Sequence, residues 1–326
     1  MPARALARPR RAAVAIATSA LLTALIGCLA PASAGTTTAS GAFTGGPSQM
    51  TAFGTWRGTG VGIAHAFVAR GTWSDIEVAT TWAANWGKSA YATRMLITMP
   101  MLPNDTSTTI QAGATGAYDS HFVTAAQHLV AAGLGNATIR IGHEFNQKWP
   151  RWSAVNDPAS YAAYFQHIVT AMRSVPGQSF RFTWCPASAY AGWDATAAYP
   201  GDAYVDVVSV DSYDSWWNHP YATPAQRWNF IVTNTKQGGL NFWANFATAH
   251  GKPIAFSEWG LVNKDAKMAS GGGGGDDPYY VQAMHDWIAA HNVAYESYLE
   301  SDAPDGLHKM EGTNFPTAAA LYTSLW

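Results

Sequence analysis

Three apolar runs of this chain end in residues that could do acid–base or nucleophilic chemistry. Ala137–Gly142 leads into His143-Glu144-Phe145-Asn146-Gln147-Lys148-Trp149-Pro150-Arg151-Trp152. Val205–Val210 leads into Asp211-Ser212-Tyr213-Asp214-Ser215-Trp216-Trp217, and Pro253–Ser257 into Glu258-Trp259-Gly260. The chain has only 21 acidic residues among 326, and a carboxylate at the end of a buried run is costly unless it is paired or used. Two glutamates so placed, each beside Trp and Tyr, suit cleavage of a glycosidic bond. One carboxylic acid protonates the leaving oxygen, and the other stabilises or attacks the oxocarbenium-like centre. Flat indole rings stack on the apolar faces of pyranose rings, while polar edges bind their hydroxyls.

Plainer readings exist for each residue. A lone strand-end glutamate is often half of a salt bridge, and most of the 15 tryptophans have core packing as their simplest role. Having two such glutamates, at separate strand ends, is what argues for chemistry. His65, at the end of another apolar run, is open to two readings: substrate contact or a satisfied structural histidine. A zinc protease would need His-Glu-x-x-His on a helix, but Gln147 holds the second His position and the segment leaves a strand. No Gly-x-Ser-x-Gly elbow is present for a serine hydrolase. Asp276, Asp277, Asp302 and Asp305 could gather calcium, but a solvated acidic loop is the simpler account. No metal or cofactor is expected.

Eight short apolar runs could position these residues: Gly41–Thr44, Gly60–Phe67, Thr93–Met99, Ala137–Gly142, Phe180–Trp184, Val205–Val210, Pro253–Ser257 and Val293–Leu299. Several are continuous rather than alternating, as expected of parallel strands covered on both faces. Helical patterns lie between them at Trp73–Trp86 (Ser74 as cap), Tyr118–Ala132, Ala159–Ser174, Arg227–His250 with a break at Gly238-Gly239, and Pro278–His291. The alternation predicts an α/β fold, a single (β/α)8 TIM barrel over residues 42–326. In that fold the strands' C-terminal ends form the active face, so Glu144 and Glu258 would meet across the mouth. The run from Ser270 to Gly275 reads as a flexible loop after strand seven, either bordering the site or merely solvated.

The N-terminus reads as an export signal. Arg4, Arg8, Arg10 and Arg11 precede an apolar run from Ala12 to Leu29, and Ala32-Ser33-Ala34 offers a cleavage site. Residues 1–34 are therefore expected to be removed and residues 35–41 to form a flexible mature N-terminus. Leu25-Ile26-Gly27-Cys28 resembles a bacterial lipobox, so anchoring through Cys28 is the alternative to free secretion. Removing the segment takes away four arginines and no acid, leaving 15 basic against 21 acidic residues, a formal charge of −6. That argues against a nucleic-acid partner. Cys185 would be the one remaining cysteine, which excludes an intramolecular disulfide and suits a packed thiol. Charged residues are 12% and hydrophobic residues 48%, which excludes wholesale disorder. The expected state is a monomer whose partner is a polysaccharide or oligosaccharide.

The motifs together resemble glycoside hydrolase family 26. His143-Glu144-Phe145-Asn146 with Trp149 and Trp152, preceded by Arg140, is similar to that family's acid/base segment. Tyr199–Asp206 followed by Val210-Asp211-Ser212-Tyr213 resembles its approach to strand six, and Lys252–Gly260 its nucleophile strand. The resemblance implies a clan A barrel and retaining hydrolysis, with Glu144 as acid/base and Glu258 as nucleophile. It also places His143 against substrate, Tyr213 on the nucleophile and Trp149 along the sugar. Trp152, Asn146, Asp211, Trp216, Trp259, His65 and Arg140 complete the expected substrate-binding set. Endo-acting hydrolysis of β-1,4-mannan is the first substrate implied, with β-1,3-xylan or mixed-linkage β-glucan behind it. Gln147, Trp259 and the Trp-free end of strand eight depart from the family pattern and bear on which sugar is taken. A non-catalytic glycan-binding barrel or surface receptor is the alternative of another class, and the presence of both glutamates speaks against it.

Overall fold

The computed structural model describes residues 1–2, 38–188, 192–215, 223–234, 238–266 and 272–326. Residues 3–34 of the proposed signal segment, Cys28 among them, and Trp216 lie outside the described residues. Eight parallel strands close into one barrel in sequence order: β1 (Ala39–Phe43), β2 (Ile63–Phe67), β3 (Met95–Met99), β4 (Thr138–Ile141), β5 (Arg181–Trp184), β6 (Val207–Tyr213), β7 (Ile254–Gly260) and β8 (Val293–Leu299). This is the (β/α)8 fold the alternation predicts. The helices are α1 (Pro47–Arg57), α2 (Trp73–Ile76), α3 (Thr80–Gly87), α4 (Ile110–Gly113), α5 (Asp119–Ala131), α6 (Pro158–Arg173), α7 (Pro224–Thr233), α8 (Leu240–Ala249), α9 (Pro278–Ala290) and α10 (Pro316–Leu325).

Several boundaries differ from the sequence reading. Residues 39–41 are strand rather than flexible tail, because Ala39, Ser40 and Gly41 pair with Tyr295, Glu296 and Ser297 of β8. The Trp73–Trp86 pattern is two helices, broken where Val78 takes φ 62°. Thr72 rather than Ser74 caps α2, in a capping box closed by Asp75. Helices α1 and α10 escape the sequence reading; both open with Pro at a first-turn position, a start signal that was available.

The interior of the barrel changes character with height. Its lower layer is apolar: Ile63, Leu96, Val207, Ala255 and Tyr295 pack together. Two residues further along β2, β3 and β6, on the same inward face, stand His65, Thr98 and Ser209. These polar groups satisfy one another. His65 Nε2 lies 2.7 Å from Thr98 Oγ1 and its Nδ1 3.2 Å from Ser297 Oγ. Thr183 and Ser257 both donate to Ser209 at 2.8 Å. A fully bonded polar layer can be buried at little cost, and it forms the floor on which the charged residues above it rest.

Strand β7 carries one extra residue, seen from both sides. Between Val210↔Phe256 and Asp211↔Glu258 its register slips against β6, and a shift also falls between Phe256 and Trp259 against β8. Strict alternation from Ser257 would turn Glu258 outward. The irregularity re-aims it toward the barrel axis and sends Trp259 into the outer layer, where it packs on Tyr298 and Trp326.

The glycine run after β7 is not a flexible loop where it is described. Gly272–Gly275 are buried. A side chain on Gly273 would meet the Val262 carbonyl oxygen at 2.0 Å, and one on Gly274 the Asp214 carboxylate at 1.7 Å. Gly274 N–H donates to the Asp214 carbonyl at 3.0 Å. The glycines serve close backbone approach. Beneath them, Arg227 of α7 joins Asp214 (2.7 Å) and Asp277, the residue capping α9.

Candidate active site

Glu144 stands just past β4, where the backbone turns through two left-handed residues, Gly142 at φ 53° and Glu144 at φ 51°. A side chain on Gly142 would lie 2.3 Å from Met101 Sδ, so glycine is required there. A non-glycine residue in this region costs on the order of 1 kcal/mol or more and is held by its surroundings. Here the Glu144 N–H donates to the Cys185 carbonyl at 2.8 Å, Gln147 N–H returns to the Glu144 carbonyl at 2.9 Å, and Tyr161 OH donates to the Gly142 carbonyl at 3.0 Å. The Glu144 carboxyl takes one side-chain hydrogen bond, from Trp149 Nε1 at 2.9 Å. Burial, then the charge of Glu258, raises its pKa to about 7; Arg140 and the Trp149 bond pull the other way.

Glu258 sits on β7 itself, with its side chain 12% exposed. Arg140 Nη1 donates to its Oε1, and Tyr213 OH donates to its Oε2 at 2.7 Å. Arg140 is buried below the mouth, with Nη2 on Asp211 and Nη1 also 3.1 Å from Thr98 Oγ1. Burial opposes its charge, but Asp211 and Glu258 outweigh it and hold its pKa above the ordinary value. Burial raises the Asp211 pKa, against the pull of Arg140. Cys185 is a buried thiol that donates to Asp211 Oδ1 at 3.2 Å. Arg140 thus bridges β4, β6 and β7.

The structure brings Glu144, Glu258, Tyr213, His143 and Trp149 to one mouth. Trp149 is 53% exposed, the most open of these side chains. His143 lies between Phe67, Trp149 and Trp152 (centroids at 6.0, 5.8 and 5.2 Å), and its buried Nδ1 has no partner among the described residues. Burial first, then Arg140, His65 and Arg70, lowers its pKa well below the ordinary value, so its imidazole is neutral.

Six residues expected to bind substrate offer it no surface. Trp152 is 1% exposed and donates from Nε1 to the His143 carbonyl at 2.7 Å. Asn146 spends both ends of its amide on the Ala187 backbone, at 2.9 Å each. Trp259 is fully buried, with Nε1 on Glu296. His65 belongs to the polar layer, and Arg140 and Asp211 to the support of Glu258. Asp211 and Tyr213, read as lying past strand six, are on β6. The loop acids are likewise committed: Asp276 accepts from the first turn of α10, and Asp302 from the His308 and Lys309 N–H groups.

The sequence reading passed over Arg70, three residues past β2, whose guanidinium carbon lies 5.7 Å from the centre of the Trp149 ring. It is a charged residue just beyond a strand's C-terminal end, the signal that singled out Glu144.

The site is thus a closed parallel barrel carrying two carboxylates over a polar floor, beside an exposed indole. The family model described as "Glycosyl hydrolase family 26" matches residues 117–252. A mannan endo-1,4-beta-mannosidase of Bifidobacterium adolescentis is 29% identical over 161 residues, 48% of this chain and 15% of that protein. Endoglucanase H of Acetivibrio thermocellus is 25% identical over 199 residues, 58% of this chain and 21% of that protein. The chain therefore aligns with about a fifth or less of either curated relative. Among solved structures, a Bacillus subtilis mannanase superposes with a TM-score of 0.57 at 18% identity, covering 89% of this chain and 85% of that one, which shows the shared fold.

Proposed function

We propose that the protein is a retaining, endo-acting β-mannanase that works outside the cell. The observation that carries this reading is the contrast between the two carboxylates. Glu258 is gripped by Arg140 and Tyr213, whereas Glu144 has a pKa near 7 and one donor. Glu258 attacks the anomeric carbon while Glu144 protonates the departing glycosidic oxygen. With the glycosyl ester formed, the charge of Glu258 is gone, the pKa of Glu144 falls, and Glu144 can take a proton from the water that releases the sugar. Two inversions give net retention.

Mannan is supported by the names of the Bifidobacterium relative and the Bacillus structure. The endoglucanase relative favours β-glucan as the second reading. Export rests on the basic, apolar and Ala-Ser-Ala segments of residues 1–34, with Cys28 offering a lipid anchor as the alternative. The test is reducing-sugar release from purified β-mannan, mixed-linkage β-glucan and β-1,3-xylan, with proton NMR of the first-formed product. Mannan preferred and a β-anomer first are expected. An α-anomer overturns retention, binding without hydrolysis overturns the enzyme, and preference for another glycan overturns mannan.

A further inference from the structure

Tyr213 can hold Glu258 only while its phenol stays in line with the carboxylate, and it is the last residue of β6. Beyond it the chain leaves the ladder, so the end of the strand has to be fastened by other elements. Two of the fastenings use the backbone. Tyr280 of α9 donates from its phenol to the Ser212 carbonyl at 3.0 Å. On the other side of Tyr213, Asp214 N–H donates to the Gly260 carbonyl of β7 and Gly274 N–H to the Asp214 carbonyl, each at 3.0 Å.

The third fastening is ionic. Side chains alternate along a strand: Tyr213 meets Glu258, and Asp214, the next residue, meets the surrounding helices. Arg227 of α7 forks onto its carboxylate, Nε to Oδ1 at 2.7 Å and Nη2 to Oδ2 at 3.3 Å, and Nη2 also donates to Asp277 Oδ2. Asp277 Oδ1 accepts from Tyr280 N–H at 3.2 Å. The contacts therefore close a ring, from Asp214 through Arg227, Asp277 and Tyr280 back to Ser212, around the backbone of Tyr213.

This ring is buried and tight. The side chains of Arg227, Asp214 and Asp277 are 6%, 1% and 3% exposed. Gly274 leaves so little room that a Cβ there would lie 1.7 Å from Asp214 Oδ2. Stability alone does not call for such a cluster, because apolar side chains of similar volume usually fill a buried space at least as well as an ion pair. What a forked guanidinium adds is direction, since it fixes the angle as well as the distance of the carboxylate it grips.

We propose that Asp214, Arg227 and Asp277 are positioning residues for the hydrolysis, a clamp behind β6 that sets the angle of the Tyr213 phenol and through it the orientation of Glu258. Among the described residues none of the three bonds to Glu144 or Glu258, so the clamp acts through Tyr213. The inference rests on the reading of Glu258 as nucleophile and extends its support to α7, α9 and the glycine segment after β7.

The test uses the full chain with Arg227→Lys and with Asp214→Asn, each alone and combined with Tyr213→Phe. Arg227→Lys keeps the charge and loses the fork; Asp214→Asn keeps the shape and loses the charge, and it decides the matter if the lysine variant does not fold. Removing the guanidinium outright would leave two buried carboxylates unpaired, so Arg227→Ala is not used. Thermal unfolding reports folding, and kcat on the best-cleaved β-glycan is expressed per active enzyme counted from the burst on a dinitrophenyl glycoside. Each substitution alone should lower kcat about tenfold, since small misplacements of a reacting group cost up to about 10²-fold, and leave KM within about threefold. In the Tyr213→Phe background the same substitution should cost less than about twofold, because the bond through which it acts is already gone. A crystal structure of Arg227→Lys should show Tyr213 Oη beyond about 3.5 Å from Glu258 Oε2. A purely structural role would lower the unfolding midpoint and the active fraction without moving kcat per active enzyme. Folded variants with kcat within about twofold of the parent, or a loss undiminished in the Tyr213→Phe background, overturn the clamp while leaving the glycanase reading standing. A parent inactive on every β-glycan overturns both.

Discussion

The ends of β4 and β7 hold the same side chain in opposite ways. At β4 the chain leaves the strand through two left-handed residues, and Glu144 projects from a turn with a single indole donor. At β7 the extra residue keeps Glu258 on the strand, bound by a guanidinium from β4 and a phenol from β6. The first environment favours the neutral acid; the second fixes the position of its carboxyl group through two donors. Under the proposed mechanism the two glutamates take two roles from position alone, the acid at β4 and the nucleophile at β7.

Exchanging or deleting either side tests that separation. The largest effect is expected at β7. Glu258→Ala should reduce kcat on mannan by at least about 10⁴-fold, as loss of a nucleophile does elsewhere. Added azide should restore turnover from the vacated face and yield the α-glycosyl azide, identified by NMR. A β-azide would reverse the comparison, and retention of more than about 1% of kcat would remove Glu258 from the nucleophile position.

At β4 the loss should depend on the leaving group. Glu144→Ala should cost about 10²–10⁴-fold on polymer, the usual range for general acid catalysis. The glycosylation step on a dinitrophenyl glycoside should be nearly spared, because that leaving group needs no proton. Azide should give the β-glycosyl azide here, by attack on the glycosyl–enzyme. Pre-steady-state burst kinetics on the two substrate types checks this, and equal losses on both would exclude Glu144 as the acid.

Much of this arrangement was legible in the sequence, and the misses have physical causes. Short apolar runs, several of them continuous, located all eight strands, because strands covered on both faces are largely apolar. Glu144, Glu258 and Tyr213 were legible as polar residues breaking those runs. The β7 irregularity was not, since Ser257-Glu258-Trp259 reads the same with or without an extra residue in the ladder. That ambiguity is why Trp259 passed for a sugar ligand when it packs outside the barrel. Asn146 and Trp152 misled for a related reason: a motif records that residues occur together, not which of them face solvent. The glycine run passed for a flexible loop because its cause is a distant carboxylate and carbonyl, Asp214 and Val262, that only the fold brings close.

A smaller effect should separate holding a carboxylate from being one. Tyr213→Phe removes the 2.7 Å bond to Glu258 and leaves the ring against His308. A hydrogen bond to a charged group is worth about 1.5–3 kcal/mol, so kcat should fall about 10- to 100-fold with little change in thermal stability. Unchanged turnover would show that Arg140 alone positions the nucleophile.

The smallest effect is the most specific to the β4 side. As the catalytic acid, Glu144 must be protonated when substrate arrives, so kcat/KM should fall as pH rises through about 7. Because Glu144 interacts with Glu258, that limb belongs to the pair. The Trp149 N–H binds the ionised form better than the neutral acid and so pulls the pKa down. Trp149→Phe keeps an aromatic face for the sugar but deletes this donor. Its pKa should rise, moving the alkaline limb to higher pH, while KM for mannan changes little. Trp149→Ala loses the face as well and should weaken binding by about 0.5–1.5 kcal/mol, the scale of an aromatic stacking contact. The two variants therefore part the indole's electrostatic role from its stacking role through pH–rate profiles and KM. An alkaline limb unmoved or shifted downward in Trp149→Phe would mean that the indole does not hold the acid. Glu144 would then owe its pKa to burial and Glu258 alone.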